Sequence, residues 1–300
     1  MLDYTGLAAV AAIIEEGSFE RAASRLHLTP SAVSHRVKSL EQRLGTPLII
    51  RGTPCLPTEA GRHLRRHMER VRLLEAGLEA DYPALFKTSH QAPPARARIV
   101  INADSLATWC MPALARFSEQ TGCLLDIVLE DQHVSMDWLT RGEVDAAITA
   151  TDTEATGCQV HPLGILRYHA TASPAFMAKQ FPGGIVDAER LATAPTLTFN
   201  RKDTLQQRWM QTQTGHQNLS PPTHWLPSST AFVEAALLGM GWGMNPEHLV
   251  QDHLASGALV ELRPNSPTDV PLYWQVNRSA ASQLKPLTRC LQDAAAQSLR

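Results

Sequence analysis

Apolar residues recur at helical spacing from the start of the chain, at Leu7, Val10, Ala11 and Ile14, which predicts a helix over residues 3–15. Gly17 stops it, and Ser18 offers an N-cap for a second helix in "FERAASRLH". A third follows in "LTPSAVSHRVKSLEQRLG", where Thr29 can cap, Pro30 suits the first helical position and Gly45 closes. His27 and Leu28 form the short turn between the second and third helices, so the pair reads as a helix-turn-helix. "TPLIIRGTPCLPTEAG" then reads as two short extended segments around Gly52 and Pro54, a wing. From Glu59 to about Phe86 the pattern is helical again. Leu64, Met68, Val71, Leu74 and Leu78 recur there at about 3.5 residues, the spacing of a dimer seam.

"KTSHQAPPARA" is Pro-rich and marks a domain boundary. Beyond Arg98 the pattern alternates. "RIVINA", "CLLDIVLED" and "DAAITA" read as strands, with helices in "SLATWCMPALARFSEQTG" and "VSMDWLTRGE" between them. The alternation resumes with "TLTFN", "TLQQRWMQTQTG", "HWLPSS" and "TAFVEAALLG", and closes with "PLYWQV" and a helix to about Ser298. Such alternation predicts parallel β-α-β units.

On a helical wheel of the third helix at about 100° per residue, Val33, Val37, Leu40 and Leu44 form one stripe. Ser31, His35 and Lys38 lie opposite, with Ser34 at the edge, and Glu41 lies round toward the apolar side. The exposed face thus carries hydroxyls, an imidazole and an ammonium with no carboxylate. All can bond base edges or phosphates in a major groove. Arg51 and Thr58 in the wing are candidates for flanking phosphates or the minor groove.

Charge sharpens this picture. The net charge of the chain is −2, yet Arg21 to Arg72 holds 11 Lys/Arg against 3 Asp/Glu, whereas residues 101–300 hold 13 against 19. A basic N-terminal block on an acidic body points to a polyanion partner for the block alone. The five cysteines are widely spaced without a C-x-x-C pair, so neither a disulfide framework nor a zinc ribbon is expected, and a reducing cytoplasm fits. No apolar run reaches the roughly 18 residues of a membrane span, and no partner membrane is expected.

"GSFERAASRLHLTPSAVSHRVKSLEQRLGTPLIIR…PTEAG" resembles the N-terminal domain of the LysR-type transcriptional regulators, and the β-α pattern after Arg98 extends the resemblance to the whole chain. The resemblance implies an α/β multidomain protein with a mostly α-helical winged helix-turn-helix at 1–58 and a linker and dimerisation helix at 59–88. A hinge linker at 89–97 and an effector domain at 98–300 would follow. That last domain would be two-lobed like a periplasmic binding protein, with lobe I at about 98–170 and 268–300 and lobe II at about 171–267. It further implies double-stranded DNA with dyad half-sites, a dimer of dimers, and RNA polymerase as a further partner. Within the family, "NADSLATW", "VLED" and "LYW" are similar to the lysine- and arginine-responsive ArgP/LysG group, which controls amino-acid export or metabolism.

The effector chemistry can also be read from residues. In an open α/β sheet a ligand sits beyond the carboxyl ends of the strands, where helices begin. "INADSLATW" is such a junction, with Asp104 and Ser105 at the helix start, and "PSSTAFVE" is a second, with Ser228, Ser229 and Thr230. A helix start attracts a carboxylate. A lysine or arginine ligand also needs acidic partners for its cation, and Asp104, Glu130, Asp131 and Asp203 lie at expected element ends, with Asn200 beside them. Arg201 and Lys202 in "FNRKD" depart from the subgroup pattern: they would repel a cationic ligand, or Arg201 would clamp its carboxylate.

No catalytic residue, cofactor or metal is expected. "GMGWGMN" has methionine at 244 where a dinucleotide fingerprint needs glycine, and reads as a helix-ending turn. His63 and His67 stand at i, i+4 without the glutamate of H-E-x-x-H, and no G-x-S-x-G occurs. Besides a ligand-responsive transcription factor, an architectural or replication-origin DNA-binding protein with an assembling C-terminal domain stays open. A third reading is an enzyme fused to a DNA-binding head.

Overall fold

The computed structural model describes residues 2–82, 84, 94–130 and 135–300. The chain divides into two compact units, residues up to Ala97 together with Gly122–Leu124, and the remainder. Among the described residues no helix is long and apolar enough to cross a membrane.

The first unit is helical, with α1 (Tyr4–Glu16), α2 (Phe19–Arg25), α3 (Pro30–Leu44) and α4 (Glu59–Asp81). Strands β1 (Ile49–Ile50) and β2 (Leu56–Pro57) pair antiparallel as the wing. The expected caps form. Gly17 and Gly45 end α1 and α3 at φ 67° and 70°, and the hydroxyls of Ser18 and Thr29 accept from the N–H groups of Arg21 and Ala32. Leu7, Val10, Ile13, Val33, Val37, Leu40 and Leu48 bury their side chains in one core. Burying each such side chain contributes about 1.5–3 kcal/mol. The Glu41 carboxylate accepts from the N–H groups of Leu48 (2.7 Å) and Ile49 (3.3 Å), tying α3 to the wing.

The apolar stripe of α4 divides. Met68 joins the helix-turn-helix core and Leu64 packs against it. Leu74 and Leu78 are 49% and 47% exposed. The stripe read from sequence as one seam thus serves the chain's own core in its first half. The last residues of that expected helix and most of the expected hinge fall outside the described residues.

The second unit begins with β3 (Arg96–Ile101), whose last residues enter it, then α5 (Ala103–Thr108), α6 (Met111–Thr121), β4 (Leu124–Leu129), α7 (Ser135–Thr140) and β5 (Ala146–Thr149). Next come β6 (Cys158–Ala172), α8 (Pro174–Gln180), α9 (Ala188–Thr193), β7 (Thr196–Thr198), α10 (Leu205–Thr214) and β8 (Thr223–Trp225). The chain closes with α11 (Ser229–Leu237), β9 (Gly243–Pro246), α12 (Glu247–Ala255), β10 (Val260–Glu261), β11 (Thr268–Asn277) and α13 (Lys285–Ser298).

The main sheet runs in the order β10-β6-β11-β5-β3-β4, with β9 also on β6. β3 and β5 pair parallel, as do β7 and β8 in a small second sheet. β6 and β11 pair antiparallel over most of their length. The early residues of β6 lie beside β11 and its last ones beside β9 and β10, so the two long strands join two lobes. The architecture is the two-lobed α/β type, but the sheet is mixed rather than parallel throughout.

Three sequence expectations change here. "SLATWCMPALARFSEQTG" is two helices, broken at Trp109 and Cys110, because Pro112 has no N–H to give back to the preceding turn. "GMGWGMN" begins as a helix-ending turn at Gly239, but its second half is the buried strand β9. The longest strand, β6, was not anticipated. Pro162 and Gly164 interrupt its pattern, and the ladder shifts register beside them, between Leu272 and Tyr273. All five cysteines are buried, and none is in a disulfide among the described residues.

Candidate functional site

Two sites emerge, one in each unit. On α3, Ser31, His35 and Lys38 are exposed and Ser34 is half-buried, opposite Val33, Val37 and Leu40. This is the face the wheel predicts. Ser39 and Gln42 are exposed beside Lys38 and widen it; both were legible as polar positions on the same side. Leu44, placed in the stripe by the wheel, is 38% exposed instead, because it is the last residue before the Gly45 cap. In the wing, the Arg51 guanidinium carbon lies 5.0 Å from the centroid of the Phe19 ring, which steadies an exposed cation at the start of α2. Thr58 is engaged otherwise. Its hydroxyl donates to the Pro47 carbonyl (2.8 Å) and accepts from the Gly61 N–H (3.0 Å), capping α4. The Thr58 hydroxyl donor, which the sequence offered to a flanking phosphate or the minor groove, is therefore already used.

In the second unit, the strand ends converge on a recess lined by Asn102, Asp104, Glu130, Phe199, Asn200 and Asp203. Beyond Asp104 and Asp203 it continues toward Ser229, Phe232 and Asn245. The mixed polar and apolar lining suits a small molecule.

Asp104 organises one wall. The Ser229 hydroxyl donates to its Oδ1 at 2.6 Å and the buried Tyr168 phenol donates to its Oδ2 at 2.8 Å. One carboxylate thereby links α5, β6 and α11. The opposite wall is a tight loop. Asn200 Oδ1 accepts from the N–H groups of Lys202 (2.8 Å) and Asp203 (3.2 Å). Asp203 accepts from Phe199 N–H (3.1 Å) and Leu205 N–H (3.0 Å). Glu130, just past β4, faces Lys202 Nζ at 3.4 Å. Arg201 stacks on Trp225, its guanidinium carbon 5.1 Å from the ring centroid.

The recess thus gathers Asp104, Glu130, Asn200, Asp203 and Ser229 from the sequence-derived set. Ser105 stands apart: it is 0% exposed, and its hydroxyl makes no hydrogen bond to a protein group among the described residues. Its place one step further along α5 turns it inward rather than into the recess. The Ser228 hydroxyl caps α11 by accepting from Ala231 N–H at 3.4 Å. Asp131 lies outside the described residues. Sequence reasoning missed Asn102, Tyr168, Phe199 and Asn245. Asn102 is 3% exposed, yet neither side-chain amide atom has a protein partner among the described residues. A buried amide in that condition calls for an explanation. Its signal was available: it follows β3 as the N-cap residue of α5, at the strand-to-helix junction where ligands gather.

Comparison with known proteins bears on both sites. Residues 5–62 match the bacterial regulatory helix-turn-helix protein family of lysR type, and residues 90–300 match the LysR substrate binding domain. The HTH-type transcriptional regulator ArgP of Pseudomonas fluorescens (strain Pf0-1) is 43% identical over 302 residues, covering 100% of this chain and 99% of that protein. The crystal structure of ArgP from Mycobacterium tuberculosis superposes with a TM-score of 0.78 at 39% identity, covering 100% of this chain and 99% of that one. Full-length LysG from Corynebacterium glutamicum with bound effector Arg gives a TM-score of 0.67 at 34% identity, covering all of both chains. A helix-turn-helix with a cation- and hydroxyl-bearing face, joined to a two-lobed ligand-binding domain and matched to these relatives along its whole length, places the chain in the LysR family of transcriptional regulators, of the ArgP/LysG type.

Proposed function

We propose that this regulator senses a basic amino acid, arginine or lysine, and controls transcription of amino-acid export or metabolism genes. The observation that carries the reading is the recess, where Asp104, Glu130 and Asp203 stand beside the buried amide of Asn102, which has no protein partner among the described residues. A zwitterion with a cationic side chain complements that set. The Asn102 amide offers a donor to the α-carboxylate and an acceptor to the α-ammonium. Glu130 takes the side-chain cation, and Asp104, held by Ser229 and Tyr168, supplies further negative potential. Ser105 has no direct contact in this scheme. The bound arginine of the LysG neighbour supports the same ligand class.

The DNA-reading face of α3 would enter a major groove, with Ser34 and His35 toward base edges and Lys38 and Arg51 toward phosphates. Val71, Leu74 and Leu78 on α4 form the part of the stripe suited to a partner helix. Pairing there gives a dimer, and two dimers a tetramer, on half-sites with dyad symmetry. A regulator of this kind acts in the cytoplasm, with RNA polymerase as the machinery it influences. Binding must favour one arrangement of the lobes to change the DNA complex.

Calorimetry and thermal unfolding of the full chain with arginine, lysine and norleucine test the effector. At 100 times its dissociation constant a ligand should stabilise by about 2.7 kcal/mol. Glu130→Gln should penalise lysine more than norleucine. The absence of binding heat with both arginine and lysine would overturn the effector assignment and leave the family intact. Lys38→Ala should weaken binding to every DNA sequence and lower the salt slope by about one.

A further inference from the structure

The recess holds its own cation. Glu130 enters from the end of β4, and Lys202 from the loop after β7 on the other side. Lys202 Nζ lies 3.4 Å from Glu130 Oε1. The two side chains are unequal partners: Glu130 is 20% exposed and Lys202 is 56% exposed. The carboxylate is therefore the fixed element of the site and the ammonium the one free to swing into water. The loop directs that ammonium by backbone geometry, since Asn200 and Asp203 bond four N–H groups between them, including that of Lys202. Arg201, the neighbouring cation, is drawn aside onto Trp225.

We propose that Lys202 is an internal competitor for the cation subsite at Glu130, and that it sets the concentration of basic amino acid to which the protein responds. This rests on the reading of the recess as a basic amino-acid site. A ligand guanidinium or ammonium at Glu130 Oε1 takes the place of the Lys202 ammonium. Two cations beside one carboxylate repel, so the ligand forfeits whatever the pair contributes. A neutral amino acid leaves the pair intact and forfeits nothing. Lys202 thus weakens arginine and lysine selectively, and the exchange replaces a link between the lobes made by the protein with one made by the ligand.

The test is calorimetry on the full chain, wild type against Lys202→Gln, with arginine, lysine and norleucine. Exposed ion pairs of this type contribute up to about 1 kcal/mol, so Lys202→Gln should tighten arginine and lysine by roughly two- to five-fold. Norleucine should not change. Arg201→Gln removes the same charge one residue away and separates displacement from general electrostatics; it should tighten arginine less than Lys202→Gln does. In a Glu130→Gln background, Lys202→Gln should give no gain. Thermal unfolding checks that each variant folds, and Lys202→Met supplies a second uncharged replacement. Arginine binding by the wild type with no gain in Lys202→Gln or Lys202→Met would overturn the competitor role alone. Equal gains for Arg201→Gln and Lys202→Gln, or for norleucine and arginine, would overturn it as well. If neither the wild type nor the Lys202 variants bind arginine or lysine, both the competitor and the effector reading fall.

Discussion

The DNA-reading face and the effector recess are assembled over very different distances along the chain. The face lies within one helix, from Ser31 to Gln42, on the side opposite Val33 and Val37. The recess draws on Asn102, Glu130, Asn200 and Asn245, each from a different element. A face made by one helix depends on that helix being packed and capped. A recess made by strand ends depends on the sheet order and on loops that no local pattern describes. Damage to the first should therefore be local and predictable from sequence, and damage to the second should spread through shared partners.

The largest expected effect comes from Leu40→Ala. Leu40 is buried in the helix-turn-helix core, and its truncation should cost about 2–5 kcal/mol through lost contacts and a residual cavity. Operator binding should collapse while arginine binding to the same preparation is retained; loss of both together would mean that the two sites are not independent. Asp104→Ala should come next. It removes the acceptor of two hydroxyls, one of them the buried Tyr168 phenol, at about 3 kcal/mol for two bonds to a charged acceptor. Differential scanning calorimetry should show the transition of the second unit lowered with that of the first unmoved.

His35→Ala is smaller and confined to specificity. It should relax the preference at one operator position by roughly 1–2 kcal/mol, read from competition among operator variants. An unchanged ranking would remove His35 from base recognition. The smallest effect concerns the two long strands. Arg167 on β6 donates from Nε and Nη2 to the two carboxylate oxygens of Asp269 on β11, each at 2.7 Å, and holds that carboxyl below its ordinary range. A depressed carboxylate contributes stability that is present above the unfolded value of about 3.9 and is lost as pH falls through the lower folded value. The pair is partly exposed, so Asp269→Asn should cost under about 1 kcal/mol at neutral pH. Melting curves should show that deficit shrinking as pH drops below about 4, whereas a pH-independent deficit would assign it to packing.

The residues themselves say why one site was legible and the other only in part. Thr29, Pro30 and Gly45 delimit α3 by rules that act within a few bonds, and its buried stripe follows from helical periodicity. The acids at expected strand ends, Asp104, Glu130 and Asp203, were also readable, because topology confines ligands to such ends. Their employment was not. Asp203 is spent on the backbone of its own loop, and Asp104 on Ser229 and Tyr168, residues 125 and 64 positions away. Ser105 differs from Asp104 by one position, yet a helix turns each successive residue by about 100°, which is enough to take a hydroxyl from the recess into the core.

The sequence by itself determined the helix-turn-helix, its cation- and hydroxyl-bearing face, the charge asymmetry between the two parts of the chain and the alternation that makes the second unit α/β. These follow from local propensity, periodicity and capping. Only the tertiary structure decided that "CQVHPLGILRYHATA" is the long strand joining the lobes, that Thr58 serves as a cap, that Asn102 is the buried amide of the recess and that Lys202 answers Glu130. Each of those depends on which distant segment lies alongside. The free energy that selects the neighbour is the burial of a whole sheet and its helices, to which a short window of sequence contributes only a small share.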